Sequence, residues 1–294
     1  MFTATLIAAG GRLADGDLQA AADRLAAASI EPGARRWIDH GVAADIDFTG
    51  DPLVAREALE GAFAATDIVV QPSEGREKRL LVADMDSTMI TVECIDELAD
   101  YAGIKAEVAE VTERAMRGEL DFGAALDARV ALLEGLDERV IAQCLAERVT
   151  LMAGARTLVR TMKARGSLTV LVSGGFTRFA EPVAAEIGFD RAIANVLEIE
   201  GGRLTGRVRK PIVGSDTKEA TLLAALAERG LEPGASMAVG DGANDLAMIR
   251  RAGLGIAFRA KPIVAGAAGA RVDHGDLTAL LYAQGIARSE WVEG

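Results

Sequence analysis

The stretch LLVADMDSTMIT (Leu80–Thr91) runs an apolar segment straight into two carboxylates, Asp84 and Asp86, on either side of Met85. Alone, the DMDST pentapeptide reads equally well as the cap of a following helix. Two later stretches share its build. VLVSGGF (Val170–Phe176) ends on Ser173, Gly174 and Gly175. That is either a glycine-rich turn or a hydroxyl plus open backbone N–H groups shaped for phosphate oxygens. AVGDGANDLAMI (Ala238–Ile249) brings Asp241, Asn244 and Asp245 together between glycines. A helix cap needs one such group, whereas this set suits a hard cation. Lys218, in GSDTKEATLL, has the local context of an ordinary surface lysine.

Taken together these groups define one chemistry. Asp84, Asp86 and Asp241 offer the hard oxygens that Mg²⁺ takes, few carboxylates with water completing the shell. Ser173, Gly174, Lys218 and Asn244 supply a hydroxyl, a backbone N–H, an ammonium and an amide for phosphoryl oxygens. Phosphoryl transfer asks mostly for positioning and charge neutralisation. The only histidines, His40 and His274, lie outside all three strand-end motifs, so a histidine-based triad is not available. A carboxylate nucleophile forming an aspartyl-phosphate fits instead. One acid of the pair attacks; the other protonates the leaving oxygen and then deprotonates the attacking water.

Such groups need elements to aim them. From Arg79 onward, LLVAD, LTVLVSGG and SMAVGDGAND are short apolar runs ending in polar residues, separated by helical patterns near 154–165, 179–187 and 216–229. Strands alternating with helices predict a Rossmann-like parallel sheet with helices on both faces, and ligands bind at the carboxyl ends of such strands. The mostly helical, charged stretch over 92–150 is too long for a crossover and reads as an inserted helical cap. Before Leu80 the order is β-α-β-β-α-β, a small α+β ferredoxin-like unit. Its first helix is expected over Asp17–Ala28 with Asp17 as N-cap, and Pro32-Gly33 as a chain break. Gln71–Lys78 reads as a polar linker. The expected division is 1–73 and 74–294.

Bulk properties bound the rest. Acidic residues outnumber basic ones 44 to 32, for a net charge of −12. That opposes non-specific binding to nucleic acid or anionic membrane, so an anionic substrate needs a local attractant. Two cysteines, Cys94 and Cys144, allow at most one bridge and fit a reducing, cytoplasmic setting. No apolar run approaches a membrane span, and the N-terminus lacks the basic start of a signal peptide.

In order along the chain, DMDST, LVSGGF, the isolated lysine and GDGAND resemble the motif set of the haloacid dehalogenase (HAD) superfamily. Within it, VECIDELADYAG (Val92–Gly103), VTERAMRG and GELDFGAALDARVALLEGL (Gly118–Leu136) are similar to the cap of the phosphoserine phosphatase family. The resemblance covers about 78–281. It implies a phosphoric monoester hydrolase that uses Mg²⁺ to convert O-phosphoserine to serine and phosphate, the last step of serine biosynthesis. It implies Asp84 as nucleophile and metal ligand, and Asp86 as acid/base with its backbone carbonyl reaching the metal. Asp241 completes the metal site and Asp245 supports it from behind. Ser173, Lys218 and Asn244 hold phosphate. Glu93 meets the substrate ammonium and Arg129 its carboxylate, two hydrogen bonds from one guanidinium. Met116 and Phe122 form the apolar lid. Read locally, Glu93 is also a helix-start acid and Arg129 half of a surface pair.

The N-terminal unit resembles an ACT-type regulatory domain by architecture alone, which implies a homodimer and serine sensing; a purely structural unit reads equally well. Two rivals share the chemistry. A phosphotransferase on the same scaffold would pass the phosphoryl group to homoserine. A signalling receiver domain would also form an aspartyl-phosphate, but it needs neither a cap nor an acid at Asp86.

Overall fold

The computed structural model describes residues 1–117 and 119–293, and the side chain of Met116 also lies outside the described residues. Strands β1 (Phe2–Ala8), β2 (Glu31–Asp39), β3 (Ala43–Thr49) and β4 (Thr66–Pro72) and helices α1 (Asp15–Ala27) and α2 (Pro52–Leu59) follow the expected β-α-β-β-α-β order. The strands lie antiparallel in the order β2-β3-β1-β4, the ferredoxin-like arrangement. Ala21 and Leu25 of α1 and Ala55 and Leu59 of α2 bury against Leu6, Ile46, Phe48 and Ile68.

Two local expectations change. Helix α1 begins earlier, with Ala14 at the N-cap; Asp17 sits one turn in, and its carboxylate accepts the Ala14 N–H at 2.8 Å. The acid still satisfies an orphan donor, but from inside the helix. Pro32 and Gly33 do not break the chain; they lie within β2 beside a register shift. As an edge strand β2 pairs only with β3, so proline's missing N–H can face away from the ladder.

The second sheet begins with β5 (Leu80–Ala83). Helices α3 (Cys94–Tyr101), α4 (Lys105–Met116), α5 (Phe122–Ala131) and α6 (Arg139–Arg148) then leave the sheet and return to α7 (Ala155–Ala164). The exit and the return run side by side: Thr91 N–H donates to Thr150 O and Met152 N–H to Met89 O, both at 2.9 Å. There follow β6 (Leu168–Phe176), α8 (Thr177–Ile187), β7 (Arg191–Asn195), β8 (Leu197–Glu200), β9 (Arg203–Val208), α9 (Ser215–Arg229), β10 (Ser236–Gly240), α10 (Leu246–Arg251), β11 (Leu254–Phe258), α11 (Pro262–Ala265), β12 (Ala270–Val272) and α12 (Ala279–Ala283).

The sheet order is β12-β11-β10-β5-β6-β7, all parallel. Strand alternation sorts its side chains onto two cores. Leu81, Ala83, Leu171 and Val239 pack with Leu158, Phe179 and Leu280 on one face. Leu80, Val82, Val170 and Ala238 pack with Leu222, Leu226 and Met248 on the other. β5 is central, and the chain builds outward from it in both directions, so β5 and β10 flank a topological switch point. Among the described residues no helix is long and apolar enough to cross a membrane.

The polar stretch after β4 is a locked junction. Arg76 donates to Asp45 at 2.6 and 2.9 Å and to Ala283 O at 3.1 Å. The Lys78 ammonium donates to Gly75 O and Gly234 O, at 2.9 and 3.0 Å.

Candidate active site

The motif residues meet at the carboxyl ends of three adjacent strands, β10, β5 and β6. The β5 strand ends at Ala83, and the chain turns at once: Thr88, Met89 and Ile90 all donate N–H to Met85 O, at 3.2, 2.8 and 3.0 Å. Ser87 accepts a left-handed φ of +54° in this turn, rare for a residue with a Cβ. Asp84 and Asp86 therefore point from a turn rather than from one face of a strand. The Asp84 carboxylate accepts the Met85 N–H and the Lys218 ammonium, at 2.8 and 2.6 Å. Asp86 accepts the Cys94 N–H at 3.1 Å, at the start of helix α3.

Lys218 is no surface lysine. It is fully buried on α9, and its ammonium bridges Asp84 and Asp245 at 2.6 and 2.7 Å. Carboxylate oxygens of Asp84, Asp241 and Asp245 lie within 4.8 Å of one another. Both oxygens of Asp245 are engaged, one by Lys218 and the other by Gly242 N–H at 3.0 Å. Asp241 accepts the Thr88 hydroxyl at 3.3 Å. The glycines of GDGAND make room for this: a Cβ on Gly240 would overlap the Asp245 carboxyl, and one on Gly242 would overlap Asn244 Oδ1.

Electrostatics set this cluster apart. Burial drives the Asp84 carboxyl well above the usual range, against the pull of Lys218, while Asp245 and Asp86 add to the rise. Burial and the neighbouring Glu93 push Asp86 up to about 7. Burial, with Asp245 and then Glu93, pushes Asp241 up to about 6. Burial alone would lower Lys218, yet Asp84 and Asp245 outweigh it and raise its pKa, so it stays an ammonium. Three acids around one lysine leave negative charge unbalanced. A hard divalent cation matches that donor set and would draw Asp84 and Asp241 back to their ionised forms.

Ser173 is buried on β6, and its hydroxyl accepts the Gly175 N–H at 2.8 Å. A Cβ on Gly175 would stand 2.9 Å from Asp86 Oδ2, so the glycine is what lets this loop approach the acid. Helix α5 lies against the same segment: a Cβ on Gly174 would stand 3.1 Å from Phe122 Cζ. Glu93 occupies the N-cap position of α3 without bonding the helix amides; its carboxylate accepts the Ser87 hydroxyl at 2.7 Å. Arg129, partly buried on α5, donates to Ala125 O at 3.2 Å and is in no ion pair among the described residues. Burial lowers its pKa, against Asp96 and Glu93. The expected lid residue Met116 lies, by its side chain, outside the described residues.

Sequence reasoning assigned no site role to Thr88 or Cys94, although both lie inside quoted motifs, nor to Asn195, which carries no local signal. Cys94 and Cys144 are both free and buried.

Comparison with known proteins places this geometry. The haloacid dehalogenase-like hydrolase family model matches residues 81–250. A phosphoserine phosphatase of Streptomyces coelicolor is 48% identical over 242 residues, 82% of this chain and 59% of that protein. A probable phosphoserine phosphatase from Vibrio cholerae, crystallised unliganded, superposes with a TM-score of 0.79 at 33% identity, covering 98% of this chain and 88% of that one. A substrate-bound phosphoserine phosphatase complex superposes with a TM-score of 0.65 at 36% identity, over 70% of this chain and 97% of that one. The chain spans 52% to 64% of the length of the first curated relatives it matches. By motif order, fold and identity, the chain belongs to the haloacid dehalogenase-like hydrolases, within the phosphoserine phosphatase family.

Proposed function

We propose that this chain hydrolyses O-phosphoserine to serine and phosphate through a phosphorylated Asp84. The observation that carries the reading is the charge imbalance at the strand ends: Asp84, Asp241 and Asp245 cluster beside Ser173, and Lys218 pairs with Asp84 and Asp245 alone among the described residues. Mg²⁺ is the proposed cation, held by Asp84, Asp241 and the backbone carbonyl of Asp86, and it would supply charge neutralisation for the phosphoryl oxygens. Asp245, engaged by Lys218 and Gly242, steadies the site from behind.

Asp84 attacks phosphorus. Ser173, the Gly174 N–H, Lys218 and Asn244 hold the phosphoryl oxygens as charge shifts onto them. Asp86, with its pKa raised to about 7, holds a proton near neutrality for the departing serine oxygen. Stripped of that proton, it then takes one from the water that cleaves the phospho-aspartate. Arg129, free of ion pairs among the described residues, would take the substrate carboxylate, and Glu93 its ammonium. Phe122, against Gly174, excludes water while the cap is closed. The relatives support hydrolysis by name, and transfer to homoserine finds no support among them.

A phosphate-release screen over small phosphomonoesters, with Mg²⁺ and with EDTA, tests the reading. Expected is selective, Mg²⁺-dependent turnover of phosphoserine. Equal rates on all esters, or full activity in EDTA, would overturn it. Arg129→Ala should lower kcat/KM for phosphoserine by roughly 100-fold and for an aryl phosphate by less than about tenfold.

A further inference from the structure

Asn195, the last residue of β7, is only 2% exposed and lies outside every motif. Its amide joins two loops that approach the site from different strands. Nδ2 donates to Gly174 O at 2.8 Å and to Val213 O at 3.2 Å; Oδ1 accepts the Val213 N–H at 2.7 Å. The orientation is fixed, because an N–H donor can only meet the oxygen end of the amide. Both donors and the acceptor are therefore engaged by backbone of the two loops.

What those segments hold gives the contact its meaning. One is the Ser173-Gly174-Gly175 end of β6, where the register against β7 shifts. The other leads through Gly214 into α9, where Lys218 N–H donates to Gly214 O at 3.1 Å. The cap rests on both at once: a Cβ on Gly174 would stand 3.1 Å from the Phe122 ring, and one on Gly214 would stand 3.3 Å from it. The strap that reaches Val213 also grips the Phe122 helix, with Lys210 on Asp127 at 2.7 Å and Ile212 packed beside Gly123.

We propose that Asn195 is a positioning residue for the phosphatase reaction, setting the spacing of the Gly174 and Gly214 loops and thereby the seat on which Phe122 closes. The proposal rests on the hydrolase reading for its kinetic arm only. Without Asn195 the Gly174 carbonyl and the Val213 amide lose a common partner, and the seat widens or slides. A displacement of about 1 Å in such a site costs up to roughly 100-fold in rate.

The test is a double-mutant cycle on the full chain with Asn195→Ala and Phe122→Ala. Asn195→Ala alone should lower kcat/KM for phosphoserine by roughly tenfold or more. In the Phe122→Ala background the same change should cost at least about threefold less, because the seat no longer has an occupant. A buried asparagine that merely stabilises the fold would give losses that multiply, and that result overturns the proposal. Hydrogen exchange over 122–131 provides a readout free of turnover: Asn195→Ala should speed it, and unchanged exchange counts against the proposal. If the wild type turns over no phosphomonoester, the hydrolase reading fails while the exchange data still decide the role of Asn195. Should Asn195→Ala not fold, Asn195→Asp keeps the volume and the Val213 N–H acceptor but loses both donors, and it decides in the same two assays.

Discussion

Acids are buried in two regions of this molecule, and the two differ in how many donors meet them. At the junction between the sheets, Asp45 accepts the Thr5 hydroxyl and two Arg76 nitrogens, at 2.9, 2.6 and 2.9 Å. Asp47 accepts the Thr3 hydroxyl and two Arg36 nitrogens, at 2.9, 2.5 and 3.2 Å. Asp67 accepts the N–H groups of Asp273, His274 and Gly275, at 2.8, 3.1 and 2.8 Å. Burial would raise Asp47, yet Arg36 and Thr3 outweigh it and hold its carboxyl below the usual value. At the strand ends the balance reverses: one lysine serves Asp84 and Asp245, and Asp84, Asp86 and Asp241 all rise. A buried acid with its full set of donors is architecture. A buried acid short of donors is strained until a cation or a proton neutralises it.

That contrast can be broken by experiment. The largest effect belongs to Asp84→Asn, which should lower kcat by about 1,000-fold or more while leaving the fold cooperative, since an amide is a poor nucleophile. Steady-state kinetics beside a thermal melt checks it; near-normal turnover would remove Asp84 from the chemistry. Arg76→Met should do the opposite. It strands Asp45 and should cost about 3 kcal/mol or more in denaturant unfolding, with kcat within about threefold of wild type. Mg²⁺ should separate the regions next. At 100 times its Kd the ion should add about 2.7 kcal/mol of stability to the wild type and to Arg76→Met alike, and little to Asp241→Asn. An equal gain in all three would mean that the ion binds elsewhere. The smallest effect is expected at the exposed Arg139–Asp137 pair, 2.6 Å apart. Arg139→Ala should move the melting temperature by no more than about 1 °C, because solvent and salt screen such pairs.

Legibility in the sequence followed the range of the interactions. The strand-end motifs were readable because each packs its chemistry into a few consecutive residues: Asp84 with Asp86, Ser173 with Gly174, Asp241 with Asn244 and Asp245. The β-α-β-β-α-β unit was readable from alternation and turn residues. Misreadings arose where a neighbour in space overrode a local rule. Pro32-Gly33 sits inside β2 because an edge strand needs ladder bonds on one side only. The stretch after β4 does connect the two sheets without helix or strand, but nothing in its own composition reveals Asp45 and Ala283 waiting for Arg76. The β8–β9 hairpin escaped notice, as did Asn195, whose partners lie on other loops.

By itself the sequence determined the chemical inventory and the order in which it is delivered: strand-end acids, a hydroxyl with glycines, a lysine, then a second acidic loop. These are properties of short windows, set by residue type and backbone preference. Tertiary structure alone decided that Lys218 is buried between Asp84 and Asp245, and that Glu93 bonds Ser87 rather than its own helix. It also decided that Arg129 is left without an ion pair among the described residues, and that Phe122 rests on two glycines from separate loops. The physical reason is that desolvation and charge balance are sums over every neighbour within a few ångströms, and most of those neighbours are distant along the chain.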